Sequence, residues 1–288
     1  MLYTKRVSLA GVATGALIAA MSGTAYAQSS DFYSRDKYEA VTDRRQPEYD
    51  PEPIRLGAFT VNSSLFAGLG YTDNALGTSD NEESDVIARI GADIAARTNW
   101  SVHEVAASVS VSRDEYQDFS DQSANDVNTR LRGRLDVTRD VALGGAVFYQ
   151  QSTDQRSDPS NTSGLGEPIE YTRAGVELSA NYTNDRIRWT NSVTFAEVDY
   201  DDTVSLDGTP IDQDFRDRSD TLFNSRLSYA ISPNVAVFGQ GMIQQREYDN
   251  LIVVDGAERS RDSDSYTVYG GVDFELNTLI RGDVAIGY

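Results

Sequence analysis

From about Phe59 onward, apolar and polar residues alternate with a period of two, the signature of extended strands with two unlike faces. The first segment sets Val61, Leu65, Ala67, Leu69 and Tyr71 against Thr60, Asn62, Ser64, Gly68 and Gly70. The second sets Val86, Ala88, Ile90, Ala92 and Ile94 against Arg89, Gly91, Asp93 and Arg97, and a third sets Val105, Ala107, Val109 and Val111 against Ala106, Ser108 and Ser110. In the fourth, Val127, Leu131, Leu135 and Val137 oppose Asn128, Arg130, Arg132, Arg134 and Asp136. Apolar rows continue at Val141–Tyr149, Ala174–Tyr182, Ile187–Phe195, Phe223–Ile231, Val235–Gln245, Tyr266–Leu276 and Ile280–Tyr288. The row at Ile187, Trp189, Val193 and Phe195 is less regular and is expected to hold a bulge. About eleven strands result, each near the roughly ten residues that cross a bilayer when tilted.

The links between strands alternate in length. Short turns are expected at Thr98-Asn99, Thr138-Arg139-Asp140, Thr183-Asn184-Asp185, Ser232-Pro233-Asn234 and Asn277-Thr278, all built from turn-forming residues. Long polar links are expected near 72–84, 114–125, 153–169, 200–219 and 247–263. Short turns on one side and long loops on the other characterise transmembrane barrels, and a soluble sandwich has no reason for that asymmetry. Aromatics in the apolar rows fall at strand ends: Tyr182, Trp189, Tyr229 and Phe274 near the short turns, Tyr71, Tyr149, Tyr266 and Tyr288 near the long links. They predict two girdles at the membrane interfaces. The expected fold is therefore all-β: an antiparallel up-and-down transmembrane β-barrel over residues 57–288.

The N-terminus supplies the route. Lys5 and Arg6, the apolar stretch Val7–Met21 and the small-residue exit Ala25-Tyr26-Ala27 predict a cleaved signal peptide over 1–27. Residues 28–56, with Pro47, Pro51 and Pro53 among charges, read as an extended periplasmic lead-in. The destination is the outer membrane of a Gram-negative cell. No cysteine is present, so no disulfide can staple the chain, whereas a closed hydrogen-bonded barrel needs none. A formal net charge of -20 argues against nucleic acid as a partner. The expected partners are outer-membrane lipid and lipopolysaccharide and the barrel-assembly machinery.

Strand parity carries a further expectation. If the lead-in lies in the periplasm, eleven strands leave Tyr288 at the outer edge. Bacterial single-chain barrels have even strand counts, and an unpaired edge in lipid leaves costly backbone groups. The sequence is accordingly read as a fragment lacking later strands, the alternative being a miscount by one. Tyr288 after Val284 and Ile286 imitates a terminal assembly signal, which this reading treats as coincidence.

The stretches Asp43-Arg44-Arg45-Gln46-Pro47-Glu48-Tyr49-Asp50-Pro51, Ile54-Arg55-Leu56-Gly57-Ala58-Phe59 and Tyr71-Thr72-Asp73-Asn74 resemble the entry segment of a β-barrel porin family of alphaproteobacterial outer membranes. The resemblance covers the entry and the first strand; beyond them it rests on strand pattern. It implies an association with exopolysaccharide synthesis and export, polysaccharide-export components as partners, and a larger barrel than the strands counted here. It carries no substrate-binding residue.

The candidate working surface is the polar, lumen-facing side. It offers Arg89, Arg97, Arg130, Arg132, Arg134, Arg173, Arg188, Arg226 and Arg281, with Asp93, Asp136, Glu177, Asp273, Glu275 and Asp283. Arg130, Arg132 and Arg134 could draw anionic sugars or small anions through a channel. Alternatively these arginines pair with carboxylates on neighbouring strands and stiffen the wall, the preferred reading. Acidic clusters at Asp199–Asp220 and at Asp114, Glu115, Asp118, Asp121 and Asp126 offer oxygen ligands, but without calcium-loop spacing they read as solvated loops. The lone His103, placed in the third strand beside Glu104, is the one candidate base and is read as an interface or lumen residue. No catalytic residue, metal site or cofactor is expected. The function expected is a passive channel or accessory pore, with a general small-solute porin or a structural or adhesive surface barrel as alternatives.

Overall fold

A computed structural model describes residues 52–78, 80–154, 165–275 and 280–288. The segments expected as signal peptide, most of the lead-in and the turn at Asn277-Thr278 lie outside the described residues. Eleven strands of the main sheet alternate up and down: β2 (Phe59–Thr72), β3 (Asp85–Thr98), β4 (Glu104–Tyr116), β5 (Ala124–Asp136), β6 (Val141–Thr153), β7 (Glu170–Asn184), β8 (Ile187–Tyr200), β11 (Arg218–Ser232), β12 (Val235–Tyr248), β15 (Ser263–Glu275) and β16 (Arg281–Gly287). Each pairs antiparallel with its neighbours in that order. A three-residue strand, β1 (Ile54–Leu56), folds back on the free edge of β2, so the sheet begins inside the expected lead-in. Among the described residues β1 and β16 form the two edges and do not pair with one another. Two small hairpins, β9 (Thr203–Val204) with β10 (Pro210–Ile211) and β13 (Ile252–Val254) with β14 (Ala257–Arg259), stand in the long links.

A strand of 14 residues such as β3, at a rise of about 3.3 Å per residue and a tilt of about 40°, rises roughly 35 Å along the membrane normal. That exceeds the apolar band of about 25 Å. The surplus lies at the long-link end. There β4 continues to Tyr116 and β5 begins at Ala124. Asp114, Glu115 and Asp126, expected in an acidic loop, are therefore strand residues. Above the lipid both faces meet water, so alternation fades while backbone pairing continues.

The register places the apolar rows on one side throughout. Leu65, Ala92, Val111, Val127 and Gln151 succeed one another across β2 to β6. Leu65 and Ile286 are each 85% exposed and Ile90 is 63% exposed, whereas the opposite face holds Ala236 at 0% and Phe238 at 6%. So much exposed apolar side chain on one face suits hydrocarbon and not water. The expected girdles stand on that face, where the Tyr266 and Tyr288 ring centroids lie 5.9 Å apart. On the inner face Phe66, Phe148 and Phe238 each sit over the glycine directly opposite on the next strand: Gly91, Gly175 and Gly271. A methyl group at Gly175 would strike both the Phe148 ring and the Phe195 carbonyl oxygen, so glycine is required for close strand approach.

The bulge expected in β8 is not there. Its ladders to β7 and β11 run without a register shift, and the shift falls between Ala230 and Ser232 of β11. The irregular pattern comes from Asn191, a polar residue on the lipid side. Its Oδ1 accepts from Ser225 Oγ at 2.8 Å, and Ser225 Oγ accepts from Trp189 Nε1 at 3.0 Å. The short turns are locally closed: Thr138 Oγ1 accepts from the backbone N–H groups of Asp140 and Val141 at 3.2 and 3.0 Å.

Candidate functional site

The inner face carries the sheet's charged chemistry. In its middle, a belt of polar residues crosses five strands in direct register: Ser64, Asp93, Ser110, Asn128 and Gln150. Asp93 accepts from both flanking hydroxyls, Ser64 at 3.1 Å and Ser110 at 2.6 Å.

The arginines are distributed around this belt, most of them engaged. Arg89 pairs with Asp114 directly across β3 and β4. Arg130 reaches past β6 to Glu177 at 2.8 Å. Arg132 pairs with Glu104 at 3.0 Å and Arg134 with Asp136 at 3.1 Å. Arg173 lies 4.9 Å above the Phe148 ring. Arg226 is held most firmly: its Nη2 meets both Asp273 oxygens at 2.8 and 2.9 Å, its Nη1 donates to Gln240 at 3.1 Å, and it lies 3.6 Å above Phe238. Gln240 in turn donates to Asn224 at 2.7 Å. Arg97 is exposed on the inner face and makes no ion pair among the described residues, whereas Arg188 lies between Thr183 and Ser228 in the register. Arg281 pairs through its backbone with Glu275, and its side chain is not among those described.

Carboxylates thus pair with all three arginines of the Arg130, Arg132 and Arg134 run. The pairs are unequal. Arg132 and Arg134 keep 57% and 53% of their side chains exposed, so those two contribute about 0–1 kcal/mol each. Arg226 and Asp273 are 18% and 10% exposed, and losing either partner there strands a charge.

Sequence reasoning missed the charges at the long-loop mouth. Arg246 pairs with Asp220 at 2.8 Å, and Arg216 pairs with Asp154 at 2.5 Å, with both partners 11% exposed. Arg216 also lies 3.9 Å over Tyr200. Around this pair the loops interlock. Gln122 donates to the Gly166 carbonyl at 2.6 Å, Gly166 N to Val204 O at 2.7 Å, and Thr203 to the Glu167 carbonyl at 3.0 Å. Leu165, Ile169 and Val198 are buried beneath. No sequence period marks such contacts between loops.

Two loop acids behave oppositely. Burial, followed by the neighbouring charges of Asp199, Asp214 and Asp249, outweighs the Tyr200 N–H bond and raises the Asp217 carboxyl above the usual 3.8. The Ser205 hydroxyl and Thr209 donors lower Asp207. Asp202, Asp212 and Asp214 bring carboxylate oxygens within 4.8 Å of one another, all exposed. Backbone N–H groups of Gln213 and Asp214 serve two of them, which accounts for the grouping.

His103 is not in the third strand. It sits in the turn before β4 with φ of 68°. Its backbone N–H donates to Asp136 Oδ2 at 2.8 Å, and its Nδ1 accepts from Asp136 N–H at 3.0 Å. The imidazole clips a turn, and among the described residues no hydrogen bond joins it to a nucleophile.

An apolar outward face with aromatic ends, a polar inner face and one set of elaborated loops define an outer-membrane β-barrel of the porin kind. The chain belongs to the family described as "Putative beta-barrel porin 2", whose model matches residues 46–288. No curated protein matches the sequence. Similar solved structures include the copper transporter OprC (12% identity, TM-score 0.48), covering 76% of this chain and 39% of that one. The TodX monoaromatic hydrocarbon channel mutant follows at 11% identity and TM-score 0.41, covering 82% of this chain and 74% of that one. OmpT of Vibrio cholerae shows 10% identity and TM-score 0.42, covering 82% of this chain and 89% of that one. The chain thus spans well under half the length of OprC.

Proposed function

We propose that this barrel is a passive hydrophilic conduit of the outer membrane, serving as an accessory pore for exported polysaccharide. The inner face supports this reading. A belt of hydroxyls, amides and one carboxylate runs across five strands between arginines that carboxylates neutralise. Such a wall offers many donors and acceptors but little net charge, which suits polyhydroxylated chains better than ions of one sign. Export begins with removal of residues 1–27, and the barrel-assembly machinery and polysaccharide-export components are its partners. A general small-solute porin is the second reading, favoured by the same charge balance. The test pairs planar-bilayer recording with deletion of the gene. Conduction with weak charge selectivity together with reduced surface polysaccharide supports the proposal. Conduction with unchanged polysaccharide leaves the solute porin. A folded barrel that conducts nothing removes both, in favour of a structural barrel.

A further inference from the structure

One charge breaks the pattern of the outward face. Among the described residues of the eleven strands, Arg113 is the only lysine or arginine whose register places it on the lipid side, where it stands opposite Ile90 and Asn125. It lies three residues before the end of β4, at the long-loop side of the membrane. The remaining outward charges are carboxylates: Glu115, Glu170, Glu197, Asp199, Glu247 and Asp264. Each also lies at the long-loop end of its strand. Among the described strand residues, every outward charge on the rim other than Arg113 is therefore negative.

Beside Arg113 the wall is hollowed. Ala67 and Ala88 leave a groove of about 680 Å³ between Leu69 and Ile90, with Arg113 and Glu115 also lining it. The apolar floor suits an acyl chain, and a guanidinium at its edge suits a phosphate, which arginine can bind with two parallel hydrogen bonds. Arg113 now donates to Glu115 Oε2 at 2.7 Å and to Asn125 Oδ1 at 3.0 Å. The Arg113 and Glu115 side chains are 47% and 50% exposed. An ion pair so exposed is weak and opens readily to a stronger anion.

We propose that Arg113 and the Ala67–Ala88 groove form a binding site for a phosphorylated glycolipid of the outer leaflet, with one phosphate on the guanidinium and one acyl chain in the groove. Elsewhere on the rim a carboxylate can meet such a phosphate only through a divalent cation. At Arg113 the contact is direct and survives chelation. The site requires only the outer-membrane placement and is independent of what the lumen carries.

The test is native mass spectrometry of the full chain, refolded in detergent with EDTA and titrated with diphosphorylated lipid A. The heat-shifted gel band confirms folding of each variant. The parent is expected to retain one lipid A that Arg113→Gln binds about tenfold more weakly. Ala88→Phe, which fills the groove while keeping the guanidinium, should lose a similar factor. Glu115→Gln, which frees Arg113, should bind several-fold more tightly, a gain that general damage to the barrel would not produce. A phosphate-free lipid A binding as well as the parent ligand would overturn the proposal. So would unchanged binding in both Arg113→Gln and Ala88→Phe, or displacement by millimolar inorganic phosphate alone, which would reduce the site to a simple anion contact.

Discussion

Replacing Arg226 by methionine keeps most of the side-chain volume and removes the charge. Asp273, only 10% exposed and bound by Arg226 through both oxygens, is then left without its cation. Breaking a buried pair in this way costs about 3–5 kcal/mol. Because the pair lines a polar face, the lower end applies. The guanidinium also lies 3.6 Å over Phe238, and losing that contact adds about 1 kcal/mol. A total near 4 kcal/mol is expected. Removing both charges in Arg226→Met/Asp273→Leu leaves no stranded carboxylate, and the loss should shrink to about 1 kcal/mol. Urea titration in phospholipid vesicles, followed by the fluorescence of Trp100 and Trp189, measures each loss. The four proteins form a double-mutant cycle whose expected coupling is at least about 3 kcal/mol, and larger by whatever Asp273→Leu costs on its own. A single variant costing under about 1 kcal/mol, or a double variant as unstable as the single, would show that the pair is not desolvated.

Two further outcomes follow from the faces and loops. Leu131→Arg, near the middle of β5 on the outward side, should cost about 2–4 kcal/mol in the same titration, whereas Asn128→Arg, on the inner side of that strand, should cost under about 1 kcal/mol; equal losses would contradict the assignment of faces. For Asp217, a folded pKa raised above 3.8 means that its contribution to loop stability is fully present below that value and is lost as pH rises through the raised pKa. Asp217→Asn, whose amide oxygen still accepts from Tyr200 N–H, should make the loops more protease-resistant than the parent at pH 7 and remove this pH dependence. No difference between the two proteins at pH 7 would refute it.

Period-two alternation made the strands legible because lipid and lumen impose opposite demands on successive residues. Leu131 and Arg132 could therefore be assigned to opposite sides without coordinates. The same cue failed where those demands relax. Above the lipid, Asp114, Glu115 and Asp126 looked like loop residues because both faces there are polar. At Asn191 a single polar residue on the lipid side imitated a break, although the backbone ladder runs through it. Pairing partners were less legible than faces. Glu177 stands 47 positions from Arg130, and Asp273 the same distance from Arg226. Each contact spans an intervening strand and depends on stagger, which alternation does not encode. Arg113 went unnoticed because the inner face drew attention to charge, while parity alone assigned it to the other side. The clasp between Arg216 and Asp154 involves connections that carry no period at all.

Continuous register has a consequence for how this chain can change. Along the described strands, apart from the shift between Ala230 and Ser232, each strand's inside and outside are fixed by counting in twos from its neighbours. One residue inserted early in β5 would turn Arg130, Arg132 and Arg134 into the hydrocarbon and bring Leu131 and Leu135 into the lumen. Two inserted residues would restore each side chain's orientation and merely lengthen the strand. Length variation among descendants should therefore collect in the outer connections, and where it enters a strand it should come in even steps.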